Sequence, residues 1–289
     1  MIQMKENPIE VPIDSKEVQE TPRYNIGEII GSGKYATVYV GSLNNVLIAV
    51  KRNKFPYREK PTHRFTQEAN ILKKLSHPNI IKFIKSENHA IYNELLDDNL
   101  EEVVKSDDHC VNKAECIVEI AKGLQYIHSF PILHRDIKPE NIFVKFNQNN
   151  ISYKIGDFGF AVSCEKVYID ADRIGSPAYM AHEIIAPSPK DHPPITYLPA
   201  TDMWAFGILC WFLYTKQEVY STLKSVEEYR DFIIAGKRLT FDGFDEPTDQ
   251  SGIFDLIKQC WVVEPEKRPS ASDFIEFFSN GVSKKIKLE

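Results

Sequence analysis

The sequence predicts an α+β protein of two lobes, a small β-rich N-terminal lobe and a larger helical C-terminal lobe. Short β-branched runs separated by Gly and Asn turns fill residues 24 to about 54. Apolar residues recur at helical spacing over 113–129, and helical segments dominate after residue 200. We expect one hinge near 94–100, and a cleft between two lobes is a usual place for a ligand.

Helices are predicted from the same apolar spacing, and strands from the β-branched runs. We expect residues 1–23 to form a flexible tail, 24–280 one bilobal domain (lobes 24–95 and 100–280), and 281–289 a short C-terminal tail. The proline-rich segment 187–199 is predicted to be a loop. Predicted helices span about 62–75, 113–129, 202–214, 226–235, 251–262 and 271–279, with strands at 80–86 and 89–95.

Composition excludes several classes of protein. The 289 residues are 43% hydrophobic and 26% charged, which is ordinary for a globular domain. A net charge of −6 argues against a general affinity for nucleic acid or anionic membranes. The apolar run Met203–Tyr214 is too short to span a bilayer. We therefore expect neither a nucleic-acid partner nor a membrane span.

Cysteine usage and the N-terminus indicate the compartment. The five cysteines are odd in number and show no CxxC-type spacing, which favours reduced thiols. The N-terminus has no apolar core of a signal peptide. We expect an intracellular protein, in the cytoplasm first, with the nucleus left open.

A glycine-rich segment lies between two predicted strands. Glycines there let backbone N–H groups approach phosphate oxygens, although such a segment alone could be a simple turn. A strand follows instead of a helix, so neither a dinucleotide-binding fold nor a Walker loop fits. The segment comprises Gly31, Ser32, Gly33, Lys34, Tyr35, Ala36, Thr37 and Val38.

A lysine and a glutamate follow this segment. Lys51 ends an apolar strand that contains Ala49, and Glu68 lies on the next predicted helix. An edge lysine is often only a solvated charge. An acid facing it, however, could hold it toward phosphates, and Leu72 would share the helix face of Glu68.

The segment HRDIKPEN at 134–141 carries the strongest chemical signal. Phosphoryl transfer needs an oriented hydroxyl and neutralisation of developing charge. Asp136 could accept the hydroxyl proton, Lys138 could compensate charge, and Asn141 could bind a cation. Asp157, in the following DFG, offers the hard oxygen that Mg²⁺ prefers.

In this order the motifs resemble the eukaryotic protein kinase family, over residues 24–280. The later motifs are an APE-like triplet ending at Glu183, DMWAFG beginning at Asp202, and the late arginine Arg268. The resemblance implies a bilobal kinase fold that uses ATP and Mg²⁺ and acts on protein substrates, together with a regulatory protein partner.

The resemblance also implies roles for single residues. Lys51 would hold the α- and β-phosphates and pair with Glu68. Asp136 would be the catalytic base, with Asn141 and Asp157 as Mg²⁺ ligands. Further implied roles are adenine contacts for Val38 and Ala49, backbone hinge bonds for Glu94 and Leu96, a hydrophobic spine of Leu72, His134 and Phe158, bracing of the catalytic loop by Asp202, and a Glu183–Arg268 pair.

Several residues indicate which side-chain hydroxyl would accept the phosphoryl group. Lys138 and the Gly175-Ser176-Pro177 segment resemble serine/threonine kinases. The segment from Cys260 to Pro269 resembles tyrosine kinases and the tyrosine-kinase-like serine/threonine group, so dual specificity stays open. Phe160, directly after DFG, resembles serine-preferring enzymes, and Glu140 resembles a position that contacts basic residues before the acceptor.

Several positions depart from the family pattern. Ala36 replaces the third glycine, His182 replaces the proline of the APE triplet, and Asn93 stands at the gatekeeper position. The segment between Glu183 and Asp202 is longer than usual. It is either a tolerated surface insertion or a contact for a substrate or partner.

Regulation is suggested by Arg135. In the family such an arginine often pairs with a phosphate on the activation segment, whose hydroxyls here include Tyr168 and Ser176. We expect Asp170 or Asp172 to replace that phosphate, with merely solvated acids as the alternative.

Two other classes of protein compete with an active protein kinase. A pseudokinase scaffold would bind partners without catalysis, but such proteins usually lose the lysine or an aspartate that is intact here. A small-molecule kinase of related fold would not need the segment from Gly175 to Glu183 or the pair Lys138-Pro139.

Overall fold

The computed structural model describes residues 25–106, 110–148, 150–163, 168–170, 173–186 and 195–286. The predicted N-terminal tail, residues 1–23, lies outside these residues, as does most of the proline-rich segment. The described residues form an antiparallel sheet followed by a mainly helical part, which confirms the predicted α+β class.

The N-terminal lobe is built on a five-stranded sheet. Its strands are all antiparallel to their neighbours and lie in the order β1-β2-β3-β5-β4. Their bounds are β1 Asn25–Ser32, β2 Ala36–Leu43, β3 Val46–Asn53, β4 Phe83–Glu87 and β5 Ala90–Glu94.

Two tight hairpins set the register of this sheet. Asn44 and Asn45, between β2 and β3, have φ values of 50° and 64°. Asn88 and His89, between β4 and β5, have φ values of 46° and 60°. Two successive residues of positive φ make the turn whose twist matches antiparallel strands, and Asn tolerates that conformation well.

Helix α1, Glu59–Leu72, is the helix predicted at 62–75. It begins earlier than predicted, since Thr62 N–H already donates to Arg58 O at 3.1 Å. Leu72 is buried, as its apolar spacing predicted, and so is Leu75, although Leu75 lies in the turn after the helix.

The C-terminal lobe is organised around a helix that is buried along its length. Every residue from Thr201 to Thr215 of α5 is buried, as its apolar composition predicted. Asn112 caps α3 by accepting a hydrogen bond from Glu115 N–H at 3.3 Å. The helices are α2 Leu100–Lys105, α3 Lys113–Ser129, α4 His182–Ile185, α5 Pro199–Thr215, α6 Val226–Ile234, α7 Ile253–Gln259 and α8 Ala271–Ile286.

Short strands fix the loops of this lobe. They pair as β6 with β8, β8 with β9, β7 with β10, and β11 with β12. Their bounds are β6 Asp98–Asn99, β7 Ile132–Leu133, β8 Ile142–Phe146, β9 Ile151–Ile155, β10 Val162–Ser163, β11 Tyr168–Asp170 and β12 Ile195–Tyr197.

The predictions for the proline-rich segment and for the end of the last helix were wrong. The segment 187–199 is not all loop, because Ile195–Tyr197 forms β12, where two β-branched residues and a tyrosine favour a strand, and Pro199 begins α5. The last helix continues to Ile286 instead of ending near 279, since a single glycine, Gly281, is tolerated within a helix. In the ranges that the structure describes, no helix is long and apolar enough to cross a membrane.

Candidate active site

A cavity of about 600 Å³ lies between the five-stranded sheet and the helical lobe. Val38 and Ala49 of the sheet line one side, and Phe143 of β8 lines it from the other lobe. Residues 93–99, which connect the lobes, form its edge, and Lys51, Glu68 and Asp157 lie among its polar lining. The volume suits a nucleotide-sized ligand.

The glycine-rich segment forms the turn between β1 and β2. Gly33 N–H donates to Ala36 O at 2.9 Å, and Gly31 lines the cavity. A Cβ atom built on Gly31 would lie no closer than 3.8 Å to the protein, and one on Gly33 no closer than 3.9 Å. The packing of the chain therefore does not require glycine at either position, whereas a ligand that closely approaches the backbone would.

Lys51 lies between two carboxylates at the inner end of the cavity. Its Nζ donates to Glu68 Oε1 at 2.7 Å and to Asp157 Oδ1 at 2.7 Å. Burial acts to lower the pKa of Lys51, but the charges of Asp157 and Glu68 outweigh it and raise that pKa above its usual range. Burial raises the pKa of Glu68, against the effect of Lys51.

Asp157 has a strained backbone and an ionised side chain. Its φ of 51° lies in the left-handed region, and its Oδ1 also accepts from Gly159 N–H at 3.3 Å. The charge of Lys51 lowers the pKa of Asp157 to about 2. With 44% of its side chain exposed, this carboxylate faces the cavity as an anion.

Asp136 is held by both of its carboxylate oxygens. Asn141 Nδ2 donates to Asp136 Oδ2 at 2.8 Å, and Ser176 N–H donates to Asp136 Oδ1 at 2.8 Å. Asn141 Nδ2 also donates to the backbone oxygen of Asp136 at 2.8 Å, which leaves the amide oxygen of Asn141 as the atom for a cation. The loop thus fixes the direction of the carboxylate.

Lys138 connects this loop to the segment around Ser176. Its Nζ donates to Ser176 Oγ at 2.9 Å and lies 3.8 Å from Asp136 Oδ2. The structure therefore brings Ser176 to the loop that carries Asp136, Lys138 and Asn141, although Ser176 is distant from that loop in the sequence.

Asp202, buried on α5, supports the same loop from behind. Its Oδ2 accepts from His134 N–H at 3.0 Å and its Oδ1 accepts from Arg135 N–H at 2.8 Å. Arg135 has a φ of 65°, an unfavourable conformation that these bonds stabilise. Burial would raise the pKa of Asp202, but hydrogen bonding and charge from His128, whose Nε2 lies 2.9 Å away, lower it.

Glu183 and Arg268 form the predicted pair. Arg268 donates through two nitrogens, to Glu183 Oε1 at 2.8 Å and to Oε2 at 2.6 Å. Thr201 Oγ1 adds a bond to Glu183 Oε1 at 3.2 Å. Since Arg268 also donates to the backbone oxygen of Ala200 at 3.0 Å, this pair ties the end of the activation segment to α5.

The connection between the lobes begins at Asn93 and Glu94, and both line the cavity with Leu96. Glu94 Oε1 accepts from Lys82 N–H at 2.7 Å and from Lys154 Nζ at 2.8 Å, so its side chain is engaged away from any ligand. Asn93 is 7% exposed, and within the described part of the chain nothing bonds its Oδ1. The position that the family resemblance predicts to be the gatekeeper thus holds a small, buried amide.

Comparison with known proteins identifies this arrangement. A family model described as the protein kinase domain matches residues 24–277. The chain belongs to the protein kinase family.

Three relatives indicate which class of protein kinases this kinase resembles. A protein of Acanthamoeba polyphaga mimivirus, provisionally named serine/threonine-protein kinase/receptor R826, is 35% identical over 272 residues, and the match covers 86% of the chain. In Dictyostelium discoideum, the provisionally named serine/threonine-protein kinase fhkE is 29% identical over 280 residues, covering 90% of the chain. The dual specificity protein kinase shkD of the same organism is 27% identical over 264 residues, covering 86%.

These matches place the chain in the serine/threonine protein kinase family of ATP-binding transferases. The chain spans only 15%, 38% and 33% of the lengths of these three relatives. The expected tyrosine-kinase-like character of the segment around Cys260 and Trp261 stays a prediction.

The regulatory hypothesis for this kinase is not tested. Arg135 Nε donates to Phe160 O at 2.7 Å, and its guanidinium lies 5.0 Å from the ring centre of Tyr197. Asp172 lies outside the described residues, and only the backbone of Tyr168 and Asp170, in β11, is described.

The structure also describes the residues that were predicted to form a hydrophobic spine. The rings of His134 and Phe158 lie 4.8 Å apart, edge to face, and both residues are buried together with Leu72. His134 Nε2 lies 2.9 Å from Gly156 O, which fixes the ring beside the DFG segment.

Sequence reasoning missed several residues at the candidate site. Phe143 and Ile30 line the cavity, and Lys54 contacts the glycine-rich turn. Phe143 stands two residues after Asn141 on the next strand, so alternation along β8 could have indicated it. A Cβ atom on Gly156 would lie 2.6 Å from the Phe143 ring, so the residue before DFG must be small for that ring to reach the cavity.

Proposed function

We propose that this chain transfers the γ-phosphoryl group of ATP to the side-chain hydroxyl of serine, and of threonine less readily, in protein substrates. The observation that carries the proposal is the orientation of Asp136 by Asn141 and Ser176, in a chain whose Lys51 and Asp157 line a cavity of nucleotide size. A carboxylate held from both sides and lying in a cleft suits a general base.

In the proposed transfer, one phosphorus–oxygen bond forms and another breaks. The acceptor hydroxyl oxygen forms a bond to the γ-phosphorus, and the bond from that phosphorus to the β–γ bridging oxygen breaks. The hydroxyl proton goes to the Asp136 carboxylate, and ADP leaves with the electron pair. Lys138, whose Nζ lies 3.8 Å from Asp136 Oδ2, compensates charge on the transferring group.

Residues on both lobes would bind the nucleotide. Val38, Ala49 and Phe143 would enclose the base, while the backbone of Glu94 and Leu96 would bond its edge. Lys51, held by two carboxylates, would direct its ammonium to the α- and β-phosphates.

The donor set fits a magnesium ion. The anionic Asp157 faces the cavity, and the free amide oxygen of Asn141 is the second candidate ligand. Mg²⁺ usually takes one or two protein oxygens together with phosphate oxygens. When bound, it would neutralise charge on the phosphates.

Serine preference is proposed from Phe160. This partly buried ring packs against the core directly after the DFG segment, and its backbone oxygen accepts from Arg135 Nε at 2.7 Å. Two peptides that differ only at the acceptor would test it, and faster transfer to threonine would contradict it. We further propose that the kinase acts in signalling inside the cell.

The decisive experiment compares the wild type with Asp136→Asn in transfer of radiolabelled phosphate from ATP to a degenerate peptide library. We expect Asp136→Asn to lower kcat by about 10²–10⁴. Asp255→Asn, an exposed acid on α7, is the matched control. Equal labelling by wild type and Asp136→Asn would instead support a binding scaffold.

Dual specificity is the second candidate, favoured by the similarity to shkD. The same library with tyrosine as acceptor decides it. Labelling of tyrosine that Asp136→Asn abolishes would establish it, and labelling of serine and threonine alone would exclude it.

A further inference from the structure

The glycine-rich turn is bonded by a lysine that belongs to none of its strands. Lys54 lies one residue after the end of β3 and is exposed. Its Nζ donates to Ser32 Oγ at 2.8 Å and to Gly33 O at 2.7 Å. Its backbone N–H donates to Tyr35 O at 2.9 Å. One residue thus contacts both sides of the turn.

These bonds join parts of the sheet that are not neighbours. β2 lies between β1 and β3, and its first residue, Ala36, pairs with Asn53. The backbone bond of Lys54 extends that pairing by one residue, while its side chain reaches Ser32, the last residue of β1. Lys54 therefore links the turn end of the β1–β2 hairpin to the end of β3.

This link matters because Gly31 and Gly33 make the turn flexible. Glycine loses more backbone freedom on ordering than any other residue. A ligand that must order the turn loses affinity, and a turn that is already ordered avoids that loss. The Lys54 ammonium donates hydrogen bonds to the hydroxyl of Ser32 and to the carbonyl oxygen of Gly33. It therefore holds these acceptor groups on the Lys54 side of the turn.

We propose that Lys54 is a positioning residue that holds the glycine-rich turn ready for the phosphates of the nucleotide, and so sets nucleotide affinity and not the rate of transfer. This inference rests on the proposed ATP-dependent function. Its competing explanation is that the Lys54 charge attracts phosphates through space without holding the turn.

The test uses Lys54→Met, which removes the charge and donors, and Lys54→Arg, which keeps both. We expect Lys54→Met to raise KM for ATP and Kd for ADP roughly fivefold to tenfold, because it removes both exposed hydrogen bonds of the ammonium. The kcat should stay within about twofold, and Lys54→Arg should restore most of the affinity. Lys74→Met, at an exposed lysine of the same lobe, is the matched control.

Hydrogen exchange of the turn separates the two explanations. In the nucleotide-free protein, Lys54→Met should speed exchange of the amides of residues 31–36, and Lys74→Met should not. Ser32→Ala should raise KM less than Lys54→Met, because the bond to Gly33 O survives. The double variant should bind no more weakly than Lys54→Met alone.

Several results would overturn the proposal. Unchanged exchange together with a KM increase that high salt removes would assign Lys54 a through-space charge effect only. Additive effects of Ser32→Ala and Lys54→Met, or a fall in kcat together with the melting temperature, would also contradict it. Exchange and ADP binding need no phosphoryl transfer, so they test Lys54 even if the wild type transfers no phosphate.

Discussion

A Cβ atom on Gly175 would lie 2.4 Å from the carbonyl oxygen of Arg135. Gly175 also has a φ of 111°, which residues with side chains rarely adopt. The next residue, Ser176, donates its N–H to Asp136. The segment that carries Ser176 can therefore approach the loop that carries Asp136 only because position 175 lacks a side chain.

We predict that Gly175→Ala lowers kcat at least tenfold, because the segment must move away from Asp136. Steady-state kinetics measures the loss, and circular dichroism checks the fold. Gly243→Ala is the matched control, since Gly243 has a φ of 81° but none of the described atoms outside its own neighbourhood lies within 4 Å of its Cβ position. Equal loss in both variants would mean that backbone strain, and not the contact with Arg135, decides activity.

The Glu183–Arg268 pair should contribute strongly to stability. The Arg268 side chain is fully buried, so Glu183→Gln leaves a buried charge without its counter-ion. We predict a loss of about 3–5 kcal/mol in the free energy of unfolding, measured by urea denaturation. Arg268→Met with Glu183→Gln should cost less than the sum of the two single changes.

The exposed pair Lys267–Glu264, at 3.1 Å, provides the control. Lys267→Met should change the unfolding free energy by about 1 kcal/mol or less, because solvent screens exposed pairs. If Glu183→Gln cost no more than Lys267→Met, the buried pair would not be a determinant of stability.

His182 should make stability depend on pH. Burial lowers the pKa of His182, and Arg238 and Arg268 lower it further. Its pKa in the folded state thus lies below that in the unfolded state, so the unfolded chain binds more protons between the two values, and stability rises with pH there. We predict lower stability at pH 6 than at pH 7.5.

His182→Gln should weaken this pH dependence, as measured by melting temperatures at both pH values. The substitution should not abolish the pH dependence of stability, since burial also lowers the pKa of His77. A dependence as steep in His182→Gln as in the wild type would contradict the assignment to His182.

The sequence predicted elements best where one local pattern decides them. Helix α3 has the predicted bounds, since its apolar face and the Asn112 cap are both local signals. Strand β12 was missed because its pairing with β11 joins residues far apart in the chain, and neighbouring prolines dominated the local pattern.

The same distinction applies to the site. Lys51, Glu68 and Asp157 could be named from motif order, and the structure brings them into contact. Lys54 could not, because its contact with Ser32 depends on how β1 and β3 lie in the sheet. The steric contact between Gly156 and Phe143 likewise exists only once β8 has paired with β9, which Gly156 directly follows.

Asp202 supports the stretch of backbone that carries Asp136. Its two oxygens accept from two consecutive backbone N–H groups, one of them at Arg135 with its positive φ. Asp202→Asn replaces one oxygen with an N–H donor, so a donor must face a donor. We predict that kcat falls about 10²-fold or more and that the unfolding free energy falls by about 1–3 kcal/mol, the cost of an unsatisfied buried group.

His128→Gln separates charge from bracing. It removes the imidazole that lowers the pKa of Asp202 and keeps both backbone bonds of Asp202 intact. We expect it to affect kcat much less than Asp202→Asn, because Arg135 stays held. If both variants lost kcat equally, the charge state of Asp202, and not its grip on the loop backbone, would be what catalysis requires.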